Sequence, residues 1–156
     1  MGKGIAGLAL LYAVAWSFLL LPWVLVGENN LTGAEVSQVL VSLPAVAVLM
    51  ILIALYRRVP KLLVLLSGAT MLIAAAIAFS TDFTLAPTSL QLQEALTGVV
   101  GDSNLGEATL WPYVFAALAG VSALLSLWVA TLPVSTKARV DETGANDTRS
   151  IWDEQV

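Results

Sequence analysis

Four stretches of this chain carry no charged side chain: Gly4 to Gly27, Val36 to Tyr56, Leu62 to Thr81 and Ala108 to Thr136, with lengths of 24, 21, 20 and 29 residues. A helix rises about 1.5 Å per residue, so crossing a hydrocarbon layer about 30 Å thick takes about 20 residues. Each run therefore spans once, and none comfortably spans twice. A soluble bundle would need a polar stripe along every helix, whereas the polar side chains inside these runs are scattered Ser, Thr and Gln. With 58% of the chain hydrophobic and 12% charged, the solvent of the fold is mostly lipid. The expected architecture is an all-α integral membrane protein. Residues 1–132 form an antiparallel bundle of four transmembrane helices, with spans near 5–26, 36–56, 62–80 and 110–132.

The seven basic residues set the orientation. Lys3 precedes the first span, Arg57, Arg58 and Lys61 lie between the second and third, and Lys137, Arg139 and Arg149 follow the fourth. All fall on one side, while Gly27–Glu35 and Ser80–Thr109 on the other side hold no Lys or Arg. The positive-inside rule then puts both termini and the Arg57-Arg58 turn in the cytoplasm. That turn is too short to separate its helices, so the second and third spans form one hairpin. The basic residues there also suit anionic lipid headgroups, each contributing about 1 kcal/mol near the surface.

The first span is longer than the apolar core of a cleavable signal and ends in Leu21-Pro22-Trp23 without a small-residue cleavage site, so it reads as retained. Pro44 interrupts the second span and removes one backbone hydrogen bond, predicting a kink that Ser42 helps to satisfy. In the long segment from Ser80 to Thr109, Pro87-Thr88 followed by Gln91 reads as a capping box. Leu92, Ala95, Leu96, Val99 and Val100 then recur at helical spacing before Gly101. A short extracytoplasmic amphipathic helix over 88–100 follows, lying on the membrane or capping the bundle. Trp23 and Trp111 are expected at the outer interface, and Tyr56 and Trp128 near the inner one, as an aromatic belt. Trp16 falls mid-span and must pack between helices or face lipid. Residues 133–156 are polar and weakly acidic, without apolar periodicity, and read as a disordered cytoplasmic tail. Ile151 and Trp152 are its only candidates for docking on a partner.

Chemistry is constrained by what is missing. The chain has no Cys and no His, which removes thiol chemistry, Cys/His zinc sites and Ser-His-Asp hydrolysis. Gly101-Asp102-Ser103-Asn104 superficially resembles a lipase nucleophile block, but no His is present to take the serine proton, so a tight turn is the better reading. No span contains an acidic or basic residue of the kind that marks ion-coupled transport. The expectation is a non-enzyme with no catalytic, metal or cofactor-binding residues. What the spans do offer is small residues at close-packing spacings, among them Ala74 and Ala78, Ala116 and Gly120, and Ala119 and Ala123. Of these, Ala74, Ala78, Ala116, Gly120 and Ala123 are the candidates for helix-packing or partner faces.

Several short stretches carry a family resemblance: Pro22-Trp23-Val24, Leu31-Thr32-Gly33-Ala34-Glu35, Arg57-Arg58, Trp111-Pro112-Tyr113 and Ile151-Trp152-Asp153-Glu154. Together they resemble the actinobacterial tryptophan biosynthesis-associated membrane protein family, over nearly the whole chain and with the same four-span plan. The tail departs from that pattern, being shorter and lacking a longer acidic ending with Pro-Thr. The resemblance implies a bacterial plasma membrane and an actinobacterial source, and it implies no reaction, because the family has no agreed molecular activity. Two readings follow. The first is an accessory or scaffold subunit of a larger respiratory or transport assembly, with membrane lipids and other membrane protein subunits as partners and no nucleic acid. The alternative is a small transporter or export factor for tryptophan or a related apolar metabolite, with an aromatic-lined passage involving Trp16.

Overall fold

The computed structural model describes residues 2–56, 60–100 and 105–133. Its long helices are α1 (Gly2–Ser17), α3 (Gln38–Tyr56), α4 (Pro60–Ser80) and α6 (Trp111–Thr131). Helix α1 continues as a 3-10 turn (Phe18–Leu20), α2 is a single turn (Gly33–Val36), and α5 (Pro87–Thr97) is short. Lys3–Leu20, α3, α4 and α6 are each long and apolar enough to cross a membrane. They form a ring in which α4 packs between α3 and α6, and α1 closes the circle. The α4–α6 interface is the most extensive and α1–α6 the slightest of the four.

Each helix buries one narrow stripe. On α1 it is Ile5, Leu8, Tyr12 and Ala15, continued by Leu19 of the 3-10 turn; on α3 it is Leu40, Pro44, Ala47, Ile51 and Ala54. These three- and four-residue steps are those of one helical face. On α4 and α6 the buried stripes are rich in Ala, Ser and Gly, whereas Leu62, Leu72, Ile73, Phe79, Leu124 and Leu127 point outward. Small residues inside and bulky ones outside is the arrangement expected where lipid replaces water as solvent.

The first span is shorter than 5–26. Pro22 disfavours helical geometry in the residue before it, and Leu21 is extended at φ −82°, ψ 157°. The helix therefore stops and the chain folds back as β1 (Pro22–Val26). Strand β1 pairs antiparallel with β2 (Asn29–Thr32) on one side and β3 (Gly106–Ala108) on the other. Gly27, at φ +59°, opens the two-residue turn between β1 and β2, the position that a type II′ hairpin assigns to glycine. This sheet, unforeseen in the sequence, joins the α1–α3 crossover to the α4–α6 crossover, so both lie at one end of the bundle. Since α3 ends at Tyr56 and α4 begins at Pro60, the helices alternate in direction.

Trp23, expected at the outer interface, is fully buried (0% exposed) and organises this cap. Its indole N–H donates to the Phe18 carbonyl at 3.0 Å, and its ring lies 5.0 Å from Phe83 and 5.5 Å from Phe115 between centroids. Gly33 packs flat on that ring, where a Cβ would sit 2.5 Å from Trp23 Cε2. Thr109 binds the same segment from the far side, its N–H donating to the Trp23 carbonyl (3.0 Å) and its hydroxyl to the Pro22 carbonyl (2.7 Å).

The capping box falls on α2 rather than on the outer helix. The Thr32 hydroxyl accepts from the Glu35 N–H (3.4 Å), while Glu35 Oε2 accepts from the Thr32 N–H (2.8 Å). Helix α5 spans Pro87–Thr97 rather than 88–100. Its N-cap is Ala86, without a side-chain bond, and it ends at Gly98 in the left-handed conformation, φ +72°. Glycine reaches that conformation without strain, so the first glycine after the helix stops it, ahead of Gly101. Thr88, freed from capping, donates to the Glu35 carbonyl at 3.3 Å and ties α5 to α2. Pro44 lies buried within a continuous α3. The carbonyl deprived of its donor is that of Leu40, while the Ser42 hydroxyl serves the neighbouring Val39 carbonyl (2.8 Å).

Replacing Gly33 by Ala drives a methyl into a rigid, enclosed indole. A loss of about 1–3 kcal/mol is expected, the usual range for overpacking, read as a lower unfolding midpoint in detergent. A second expectation concerns acid. The backbone N–H and hydroxyl of Thr32 hold the Glu35 carboxyl below its ordinary value. A depressed folded pKa means the unfolded chain binds the proton first, so the stabilisation is present above the ordinary glutamate value and is lost as pH falls through the folded one. Thr32→Ala should therefore lower the thermal midpoint at neutral pH, with the gap to wild type narrowing in that acid window. An unchanged gap on acidification would show that the Thr32 hydroxyl contributes nothing through the ionised Glu35 carboxylate.

Candidate functional site

Among the polar or shaped features of the bundle, two involve the small-residue helices α4 and α6. The first is a hydroxyl cluster at its centre. Tyr12 is fully buried and reaches Ser126 Oγ at 2.5 Å and Ser67 Oγ at 3.2 Å. Ser126 also donates to the Ser122 carbonyl (2.7 Å), and Ser67 lies 2.8 Å from the Val64 carbonyl. If Tyr12 gives its proton to Ser126, Ser126 gives its own to the helix, and Ser67 supplies either Val64 or the phenol oxygen. Every hydroxyl is then satisfied, and among the described residues no buried side-chain polar atom lacks a partner. Such bonds average about 0.6 kcal/mol in membrane proteins. The cluster pins α1 to α4 and α6, and its internal satisfaction gives it no spare group for chemistry. The sequence signal was faint: one Tyr mid-span, and serines legible only as small residues.

The second region is the outside of the α4–α6 pair. Around the cluster the two helices are nearly in backbone contact, since a Cβ on Gly68 would lie 2.8 Å from Ser126 Cβ and 3.4 Å from the Ala123 carbonyl. Outside that contact runs an apolar groove in two adjoining parts. One, of about 410 Å³, includes Leu72, Ala76, Tyr113, Ala116 and Ala117; the other, of about 200 Å³, includes Leu65, Ala69, Leu72, Ala123 and Leu127.

The candidate packing residues divide between interior and groove. Ala74 and Ala78 are buried inside the bundle. Ala116 is buried yet lines the groove, and Ala123 lines it while half-buried. Gly120 is half-buried on the same helical face, with no atom within 4 Å of where its Cβ would be. Trp16 faces outward from α1, 46% exposed, over a shallow apolar cleft with Ala13, Ala34 and Val41. Ile151, Trp152, the Arg57-Arg58 turn and the Gly101–Asn104 segment lie outside the described residues. Among the described residues no three Asp, Glu, His or Cys side chains cluster as metal ligands.

The two glycines should respond oppositely to Ala. Gly68→Ala forces α4 from α6 and should cost about 1–3 kcal/mol, whereas Gly120→Ala meets open space and should be neutral or add up to about 1 kcal/mol of helix propensity. Unfolding titrations in mixed micelles measure both, and equal sensitivity would contradict the asymmetry of the seam. No family model, no curated protein and no solved structure matches this chain, so a functional reading rests on its own residues.

Proposed function

We propose that the chain is a non-enzymatic accessory or scaffold subunit of a larger bacterial membrane complex, a respiratory or transport assembly, and that it belongs to the actinobacterial tryptophan biosynthesis-associated membrane protein family. The observation that carries the accessory reading is the α4–α6 groove. Small residues along it, Ala69, Ala76 and Ala117, with Gly120 on the same face of α6 as Ala116 and Ala123, are what a further transmembrane helix needs for close approach. The bundle axis offers little to a substrate by comparison, being filled by Leu40, Ile51, Met71 and the satisfied Tyr12 cluster. Trp16, on the outer surface, lines no central passage.

The same reading places the protein in the plasma membrane with both termini in the cytoplasm and the cap outside. Charge supports it: Lys3 and Lys61 begin α1 and α4 at the end away from the cap. The crossover segments of the cap carry acidic groups and no basic ones.

The test is recovery of the tagged full chain from its native membrane in mild detergent, followed by mass spectrometry. A defined set of membrane subunits in fixed ratio is expected, and Gly120→Leu should abolish it while leaving the unfolding midpoint in place. Recovery of the chain alone, under conditions that preserve known complexes, would overturn the proposal and turn attention to tryptophan flux.

A further inference from the structure

Where α4 ends and α6 begins, a cleft of about 230 Å³ opens on the flank of the cap. Trp23 forms its floor, Phe79 and Tyr113 its walls, and Thr81, Asp82 and Pro112 complete it. Phe79 and Tyr113 meet nearly at right angles with centroids 6.0 Å apart, and both leave much of their ring surface exposed. Asp82 is held in place by Thr84, whose N–H (3.0 Å) and hydroxyl (2.6 Å) both donate to Oδ1. The second carboxylate oxygen takes no part in those bonds.

Three properties of the cleft select one ligand chemistry. Its one charged lining residue is Asp82, and the described parts of the two crossover segments carry Glu28, Glu35, Glu94 and Glu107 but no Lys or Arg. The C-terminal end of α4 and the N-terminal end of α6, helices of equal length, meet here with opposite poles, so the side chains decide the sign of the charge. Two partly exposed aromatic rings line the same cleft as the carboxylate, a combination that proteins use to hold organic cations. A hard divalent metal would want six or more oxygens, and a single carboxylate between aromatic rings does not supply them. The space suits a small head group rather than a drug-sized molecule.

We propose that this cleft binds an organic ammonium group, with Asp82 as its charge partner and Phe79 and Tyr113 as its aromatic walls. The ammonium belongs either to a phospholipid head group or to a free amine. The proposal does not depend on the accessory-subunit reading, since nothing in it requires a protein partner.

Two probes separate the sources. The full chain in mild-detergent micelles is dialysed against labelled choline and ethylamine. In parallel it is placed in phosphatidylglycerol nanodiscs containing phosphatidylethanolamine, and retained lipid is identified by native mass spectrometry. Saturable binding of at least one probe is expected. Asp82→Asn should weaken it about tenfold, as for loss of a hydrogen bond to a charged group. Tyr113→Leu should weaken it about threefold, and Glu94→Gln should leave it unchanged. Because Asp82 also fixes Thr84, the unfolding midpoint of each variant is measured alongside. Tyr113→Leu leaves the Asp82–Thr84 bonds intact and decides the matter if Asp82→Asn fails to fold. Binding of the free amines alone identifies a soluble ligand, and selective retention of phosphatidylethanolamine alone identifies a lipid head group. Binding of neither, or equal effects of Asp82→Asn and Glu94→Gln, would overturn the proposal.

Discussion

Lipid tails are as apolar as leucine, so no hydrophobic force presses these four helices together, and everything else depends on how closely their backbones approach. Gly68 against Ser126 is where that approach is tightest. The Ala, Ser and Gly stripes of α4 and α6 extend it along the whole interface. Each atom pair at contact contributes only about 0.1–0.2 kcal/mol, but a seam of this length gathers many. The hydroxyl bonds of Tyr12 are few by comparison. Their role is registry: a phenol that must reach Ser67 and Ser126 together fixes α1 along and around its axis against the other two helices.

Backbone that leaves a helix near lipid must find other partners, and the cap shows how this chain finds them. Pro22 ends the helical pattern, β1 pairs on both edges, and Thr109 meets the Pro22 and Trp23 carbonyls. Gln93, fully buried, donates to the Thr84 carbonyl (3.1 Å) and accepts from the Leu105 N–H (3.2 Å), so two loop segments of the second crossover are satisfied by one side chain. The cap thereby locks the ends of helices whose flanks hold each other only by shape.

The spans were legible because their signal is an average: twenty apolar residues outvote any single one. What was not legible depended on single residues and on pairing across distance. Val24-Leu25-Val26 continues the apolar run of α1, and only the restriction that Pro22 places on Leu21 separates strand from helix. Of its two partners, Asn29–Thr32 follows within a hairpin, but Gly106–Ala108 lies some eighty positions away. The cap helix was legible by periodicity, yet its start and stop were misplaced. Thr88 looks like a cap until the Glu35 carbonyl is beside it, and Gly98 competes with Gly101 as terminator. Of the functional surface, the small residues were visible in sequence, but spacing alone could not separate Ala74 and Ala78, facing inward, from Gly120, which meets nothing. The Asp82 cleft gave no sequence signal, because its rings come from the end of one helix and the start of another.

The bundle also contains its own control for the meaning of the groove. Elsewhere on the outer surface of α3 and α4 stand Val39, Leu49, Leu52, Leu62, Leu66 and Ile73, large apolar side chains left exposed. Along the α4–α6 seam exposed Ala69, Ala76 and Ala117 stand among Leu65, Leu72, Leu124 and Leu127. A lipid-facing surface has no need of small side chains, since fluid tails fill any relief and a larger residue would lose nothing. A rigid partner does need them, because backbone approach is where helix association in lipid finds its energy. Gly68 already serves this purpose within the bundle, where α4 meets α6. Small residues recur on the outside of the same two helices, and the proposed accessory role rests on that recurrence.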